Sequence, residues 1–256
     1  MLADAHCHLQ FEAFQQDREA VIARARACGV SRLIVAGTRV DEIEALAALQ
    51  KRHGVEVCLG LHPWFLDEHG EDALQRLERA LQAQAVVALG ECGVDALVEN
   101  VERQWQLFDA QLKIAQRLNL PVVIHCVKYY DEVGKRLKAL SLPARGLIHG
   151  FTGSEQQAQR LIELGYVLGI GGAVTFDRAQ KLKRTVARLP ADGFVLESDA
   201  PDMTPQGRVP ARNEPAHVAL IAREVARLRD TDVETLARET STTLARLFPC
   251  RNRLSD

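Results

Sequence analysis

His6 and His8 stand two residues apart in the stretch DAHCHL, residues 4–9. Side chains two apart on a β-strand share a face, so one strand can present two imidazole nitrogens to one metal ion. The same kind of residue recurs at the end of further apolar runs: His62 in GLHP, Glu91 and Asp95 in GECGVD, His125 in IHC, His149 in IHGF, Glu197 and Asp199 in ESDAP. Any one of these alone is an ordinary capped loop or core histidine. Their recurrence points to a metal site. Four histidines (6, 8, 125 and 149) with Glu91 and Asp199 are too many for one tetrahedral ion and suit two ions a few ångströms apart. Glu91 is the natural bridge. The expected partition is His6, His8, Glu91 and Asp199 on one ion, and Glu91, His125 and His149 on the other. Cys7, Cys92 and Cys126 each neighbour a candidate, so strand alternation sends them to the opposite face as small buried thiols. Glu197 shares parity with Asp199 and is expected to orient a metal-binding residue rather than bind metal itself.

The elements that must carry these residues are legible as an alternation. Apolar runs fall at Leu2–Ala5, Arg32–Ala36, Val55–Leu61, Val86–Leu89, Pro121–Ile124, Gly146–Ile148, Tyr166–Ile170 and Phe194–Leu196. Rich in Val, Ile and Leu, they read as parallel strands buried on both faces. Helical patterns fall between them: Asp17–Cys28, Asp41–His53, Glu71–Gln84, Asn100–Asn119, Asp131–Leu140, Ser154–Leu164 and Asp177–Leu189, with Pro215–Leu228 and Asp232–Phe248 closing the chain. Gly29 and Gly165 stand where helix stops are expected. This is the arithmetic of an α/β fold, a (β/α)8 TIM-like barrel in a single domain over residues 1–256, with an open doubly wound sheet as its competitor. Barrel sites are built at the C-terminal ends of several strands, where the polar residues stand. The stretch 203–215, MTPQGRVPARNEP, reads as an ordered loop.

Composition narrows the function classes. A net charge of −2 advertises neither a nucleic-acid coat nor a membrane surface, so a charged substrate must be met by a local site. The six cysteines, at 7, 28, 58, 92, 126 and 250, form no CxxC pair and read as reduced thiols. MLADAHCHLQFEAF has no basic region followed by an apolar one, and no apolar run approaches the ~20 residues that span a bilayer. The expectation is a soluble, cytoplasmic protein with no membrane and no obligate protein partner. Aromatic residues make up only 5%, so stacking platforms for single strands are few. Phe151, Trp64, Tyr129 and Tyr130 are the aromatics near the rim, and packing is the simpler role for each.

The segments DAHCHL, GLHP, GECGVD, IHC, IHGFTG, ESDAP and RNEP, in this order from residue 4 to 215, resemble the TatD family of metal-dependent deoxyribonucleases, within the amidohydrolase-like barrels. The likeness is to the branch described only as metal-dependent hydrolases. It implies a TIM-like barrel with a two-metal site that hydrolyses phosphodiesters, often as a 3′-to-5′ exonuclease on DNA. It also implies His6, His8, Glu91, His125, His149 and Asp199 as metal-binding residues and His62 as a substrate-side residue. Two positions depart from the family pattern. Val127, followed by Lys128, replaces the usual arginine two places after the fifth-strand histidine, and the loop ALVENVERQ lacks the family's common aromatic residues.

The expected chemistry is metal-assisted hydrolysis of DNA ends or short oligonucleotides. Glu91, Asp199 and His62 are the expected catalytic set, with Asp199 taking the proton of the attacking water. His62, Lys128 and Arg212 are the expected substrate-binding residues, since cationic donors suit phosphate oxygens. Asn213 and Glu214 are read as ordering their loop. A rival reading is an amidohydrolase-type enzyme cleaving a small amide, lactone or ester, although many such enzymes bridge their metals with a modified lysine where this chain has Glu91. A purely structural metal site is disfavoured, because such sites are closed and compact. The donor set accepts Zn, Mn, Ni, Co or Fe, and suits Mg less because imidazole is a poor partner for that hard ion.

Overall fold

The computed structural model describes residues 1–249. Eight strands pair in parallel, in chain order, in one sheet: β1 (Leu2–Cys7), β2 (Val30–Ala36), β3 (Glu56–Leu59), β4 (Ala88–Asp95), β5 (Val122–Val127), β6 (Gly146–Ile148), β7 (Val167–Ile170) and β8 (Phe194–Leu196). Seven helices connect them: α1 (Arg18–Ala27), α2 (Ile43–His53), α3 (Ala73–Ala83), α4 (Val101–Leu118), α5 (Tyr130–Leu140), α6 (Glu155–Glu163) and α7 (Gln180–Arg188). After β8 come α8 (Val218–Leu228) and α9 (Val233–Leu247). At the C-terminal end of β1 and just beyond β8, the N–H of Asp199 donates to the His6 carbonyl at 2.9 Å and the N–H of His8 to the Ala200 carbonyl at 2.8 Å. The last strand is thereby joined to the first, giving the (β/α)8 barrel that the alternation predicts. Among the described residues no helix is long and apolar enough to cross a membrane.

Local chemistry explains the helix ends. The Ser154 hydroxyl accepts from Gln157 N while the Gln157 side chain accepts from Ser154 N, a capping box that starts α6. Asp232 caps α9 by accepting from Thr235 N at 2.7 Å. Gly29 (φ 83°) and Gly165 (φ 87°) follow α1 and α6 in the left-handed conformation expected of them.

Two apolar layers result. The larger lies between sheet and helices and contains Cys7, Cys92 and Cys126, on the face opposite the candidate residues as alternation predicts. The smaller fills the barrel: Ala3, Ala5, Ile34, Cys58, Ala88, Val123, Leu147, Val167 and Val195 point inward, and Leu244, Leu247 and Phe248 close the floor beneath them. Cys250 lies outside the described residues.

β5 runs past Ile124 to Val127 and so carries His125, and two other strands likewise run further than their apolar runs suggest. β1 continues through His6 to Cys7, and β4 spans Ala88–Asp95, so Glu91 and Asp95 stand on the strand rather than in a loop after it. Both strands shift register just before the polar residues, between Asp4 and Cys7 and between Leu89 and Cys92. Such an irregularity reverses alternation and re-aims side chains. Without it, the inward parity of Ala88 would continue to Gly90 and turn Glu91 outward.

Candidate metal centre

His6 and His8 from β1, Glu91 from β4, His125 from β5, His149 after β6 and Asp199 after β8 converge at the C-terminal mouth of the barrel, together with His62 after β3. Glu91 is at the centre, 1% exposed. Its Oε2 lies 3.1 Å from His6 Nε2 and 3.3 Å from His8 Nε2. Asp199 Oδ1 is 3.5 Å from each of those nitrogens. The other oxygen, Oε1, lies 2.6 Å from His149 Nε2, 3.0 Å from His125 Nδ1 and 3.1 Å from His62 Nε2. One carboxylate thus faces two separate sets of nitrogens, one per oxygen.

The imidazoles differ in which nitrogen carries the proton. His8 Nδ1–H donates to the Ala36 carbonyl at 2.9 Å, which leaves the Nε2 lone pair turned to the centre. His125 Nε2–H donates to Asp95 Oδ2 at 3.0 Å, which leaves Nδ1 free toward Glu91. These are the tautomers that metal binding requires, each fixed by an outer partner. His62 is the reverse. Its Nδ1 accepts from Trp64 N at 3.1 Å, so in the neutral ring Nε2 carries the hydrogen and points a donor at the centre. Burial pushes the His62 pKa down to about 4, so the ring is neutral at ordinary pH. Hence His62, although close enough to be counted with Glu91 and His125 as a possible metal-binding trio, faces the centre with a donor rather than a lone pair.

The donor set suits cations. Glu91 Oε2 is buried without a properly directed hydrogen-bond donor. His6 Nε2 and His8 Nε2 face each other at 3.2 Å, as do His125 Nδ1 and His149 Nε2 at 3.1 Å. Nitrogen pairs so placed around a buried carboxylate are satisfied together by a positive ion between them. The titration directions agree: against the cost of burial, the surrounding histidines, His149 foremost, hold Glu91 well below the usual carboxylate range. Burial opposes charge on His149 too, but Glu91 raises its pKa to about 9.

Comparison with known proteins places the chain. The family model described as TatD related DNase matches residues 3–249. The chain belongs to the TatD-related DNase family. It is a TatD-family hydrolase. It is 38% identical over 239 residues to the uncharacterized metal-dependent hydrolase YjjV of Escherichia coli K12, covering 91% of this chain and 92% of that one. It is 34% identical over 257 residues to the 3′-5′ ssDNA/RNA exonuclease TatD of Erwinia amylovora, covering 96% and 98%. The crystal structure of the E. coli YjjV superposes with a TM-score of 0.93 at 37% identity, over 96% of this chain and 97% of that one.

Around the centre of this TatD-family barrel, the remaining expected residues sort themselves by contact. Glu197 is fully buried behind His149, its Oε1 3.9 Å from His149 Nδ1, and burial raises its pKa to about 8. A side chain at Gly169 would collide with the Glu197 carboxylate, so only glycine leaves it room. Lys128 is exposed at the end of β5 and has no ion-pair partner among the described residues. Arg212 is engaged elsewhere: it forks onto Asp17 at 2.9 and 2.8 Å, bonds the Ala13 carbonyl and Glu214, and lies over the Phe14 ring. With Arg24 reaching Glu214 at 2.8 Å, the segment RNEP clasps the loop after β8 to α1. Asn213, fully buried, donates to the Ser198 and Asp202 carbonyls at 2.7 and 2.6 Å and orders that loop as expected.

Two residues carry more than the sequence reading assigned them. Asp95 accepts from both His125 and Trp64, and its only sequence signal was its place two residues past a glycine on a polar strand end. Asp4, within the first motif, is fully buried and bonded to Ser198. Of the rim aromatics, Phe151 (2% exposed) and Tyr130 (6%) pack as expected, and Tyr129 lies edge-on to Trp105. Trp64 does not: it is 56% exposed.

Proposed function

We propose that this TatD-family protein is a two-metal phosphodiesterase that removes nucleotides from DNA ends or short oligonucleotides, in the manner of a 3′-to-5′ exonuclease. The observation that carries the reading is Glu91, whose two oxygens face different sets of histidines. His6, His8 and Asp199 with Oε2 would hold one divalent ion, and His125 and His149 with Oε1 the second. Zn, Mn, Ni, Co or Fe suits this nitrogen-rich set better than Mg. Ions bound here supply a water of lowered pKa and offset the charge growing on the phosphoryl oxygens.

The chain's own residues do the rest. Asp199 is the reachable base: its side chain is 15% exposed, against 1% for Glu91, so an incoming water can give it a proton. His62 directs Nε2–H toward a phosphate oxygen, a fixed donor in a dry site. Lys128, exposed at the end of β5 without an ion-pair partner among the described residues, would contact a phosphate oxygen. Arg212, held by Asp17, contributes by fixing the loop behind Asp199. The five described cysteines are free and four of them buried, in keeping with a reducing cytoplasmic setting.

The test is to strip the protein of metal, reload it with Mn, Zn or Mg, and assay a 5′-labelled single-stranded DNA beside the Glu91→Ala variant. A metal-dependent ladder shortening from the 3′ end, absent in the variant, is the expected result. A protein that binds two ions and leaves every oligonucleotide intact would overturn the reading in favour of a small-molecule hydrolase.

A further inference from the structure

Five large apolar residues are strongly exposed among the described residues, and apart from Met1 all belong to loops at the barrel mouth: Trp64 after β3, Leu97 after β4, Met203 and Val209 after β8. Trp64 is the only aromatic among them. An indole left more than half in water forgoes one of the largest burial gains open to any side chain, so its position asks for a use. It is also held rigidly by the centre itself. Its Nε1–H donates to Asp95 Oδ2 at 2.7 Å, the oxygen that accepts from His125 Nε2, and its backbone N–H donates to His62 Nδ1 at 3.1 Å. The ring lies edge-on to His62 (5.5 Å between centroids, 87°) and to His125 (6.0 Å, 75°). Asp95 Oδ1 meanwhile accepts from Leu97 N at 2.8 Å, so one carboxylate sets both apolar residues on this wall.

Resting on the phosphodiesterase reading, we infer that Trp64 is the platform on which the nucleobase next to the scissile phosphate stacks. The substrate it fits is therefore an unpaired strand end, because a base inside a duplex already has its faces covered. The ring needs no ordering on binding: its Nε1–H and the Trp64 backbone N–H are already committed, and its orientation is set by the residues that flank Glu91. The mouth is then two-sided. Trp64 and Leu97 form an apolar wall on the β3–β4 side, while Lys128 after β5, and Arg178 after β7 beside the Phe176 ring, have no ion-pair partner among the described residues and offer positive charge to the phosphates. Trp64 also acts on the centre through Asp95, and the two roles separate by substitution. Trp64→Phe keeps a ring and loses the hydrogen bond; Asp95→Asn weakens the link and keeps the ring.

The experiment uses metal-loaded protein and a thymidine trinucleotide with phosphorothioate linkages, beside the same trinucleotide ending in an abasic residue. Intrinsic fluorescence reports the ring directly, and Trp105→Phe removes the second indole, which lies under the Arg136 guanidinium. Binding of the base-bearing end is expected to quench the Trp105→Phe protein. Trp64→Ala should weaken that binding about 5- to 140-fold, the equivalent of about 1–3 kcal/mol per stacked base. Abasic-end binding should barely change, and Trp64→Phe should stay within about threefold of the parent. Equal losses for both ends would show that Trp64 acts only through Asp95 and would overturn the inference, as would binding, seen by anisotropy of a labelled strand, without quenching. If the parent protein neither binds nor cleaves either strand, the phosphodiesterase reading falls, and the inference with it.

Discussion

Asp4 and Ser198, 194 positions apart in the chain, are joined by two hydrogen bonds: Ser198 Oγ–H donates to Asp4 Oδ2 at 2.6 Å and Ser198 N–H to Oδ1 at 2.8 Å. Both residues are fully buried. They lie one layer beneath His6 and Asp199, so they hold together the two ends of the sheet that bring those residues to the candidate centre. Replacing Asp4 by Ala strands both Ser198 donors, at about 1–3 kcal/mol each, and also removes the longer 3.3 Å bond from His6 N. For a chain of this size the two Ser198 donors alone lower the melting temperature by about 4–24 °C. Scanning calorimetry checks it; a shift under a degree would mean that the seam does not rest on this pair.

Asp95 is expected to set metal affinity without touching metal. Asp95→Asn removes the carboxylate that holds His125 in its Nδ1-facing tautomer, and such outer partners are worth about 10–100-fold in affinity. Competition with a chelating dye should show the loss at one of two sites. Equal weakening of both, or none, would contradict the partition around Glu91.

His62 separates donor from metal-binding residue. If its Nε2–H is a donor to substrate, His62→Ala should lower kcat about 100-fold while two ions still bind, the usual loss for one positioned donor. His62→Gln, whose amide also donates, should recover part of the rate. Loss of one ion in the Ala variant would make His62 a metal-binding residue instead.

Acid stability should depend on Asp17. Hydrogen bonds from Arg212, then Arg24, hold its pKa down to about 2. The ordinary value in an unfolded chain is about 3.9, so the folded state binds fewer protons and the stabilisation is complete above about pH 5. It fades as pH falls toward 2. Asp17 is 38% exposed, so the screened pairs contribute about 1 kcal/mol or less each. Asp17→Asn should melt a few degrees below the parent at pH 7 and converge with it near pH 2. A constant gap across that range would show that the carboxylate charge is not the source.

Most of the centre was readable because barrel sites gather at strand ends, and nine polar residues stood at such ends in a linear list. What was hidden depends on three-dimensional facts. The strands carrying His6 and Glu91 look shorter in sequence because a polar residue interrupts the apolar signal, yet the sheet continues beneath them through a register shift. Nothing in GECGVD tells Asp95 apart from a loop cap until His125 and Trp64 are seen to share its oxygen. Arg212 looks like any unpaired cation until Asp17, on the far side of the chain, takes both its nitrogens. Helix limits came out within a few residues because Ser154, Asp232, Gly29 and Gly165 act locally.

The floor of the barrel has a consequence for the order in which the protein can form. Leu244, Leu247 and Phe248 close the inner layer, and Arg32 on β2 donates to the Phe248 carbonyl at 2.6 Å. Every strand, and every residue around Glu91, precedes them in the chain. During synthesis from the N-terminus, the eight strands emerge before anything can stop the bottom of the cylinder they enclose. Until residue 248 has left the ribosome, the inward faces of Ala3, Ile34 and Val123 have no lid against water, and the mouth stands on an unfinished base.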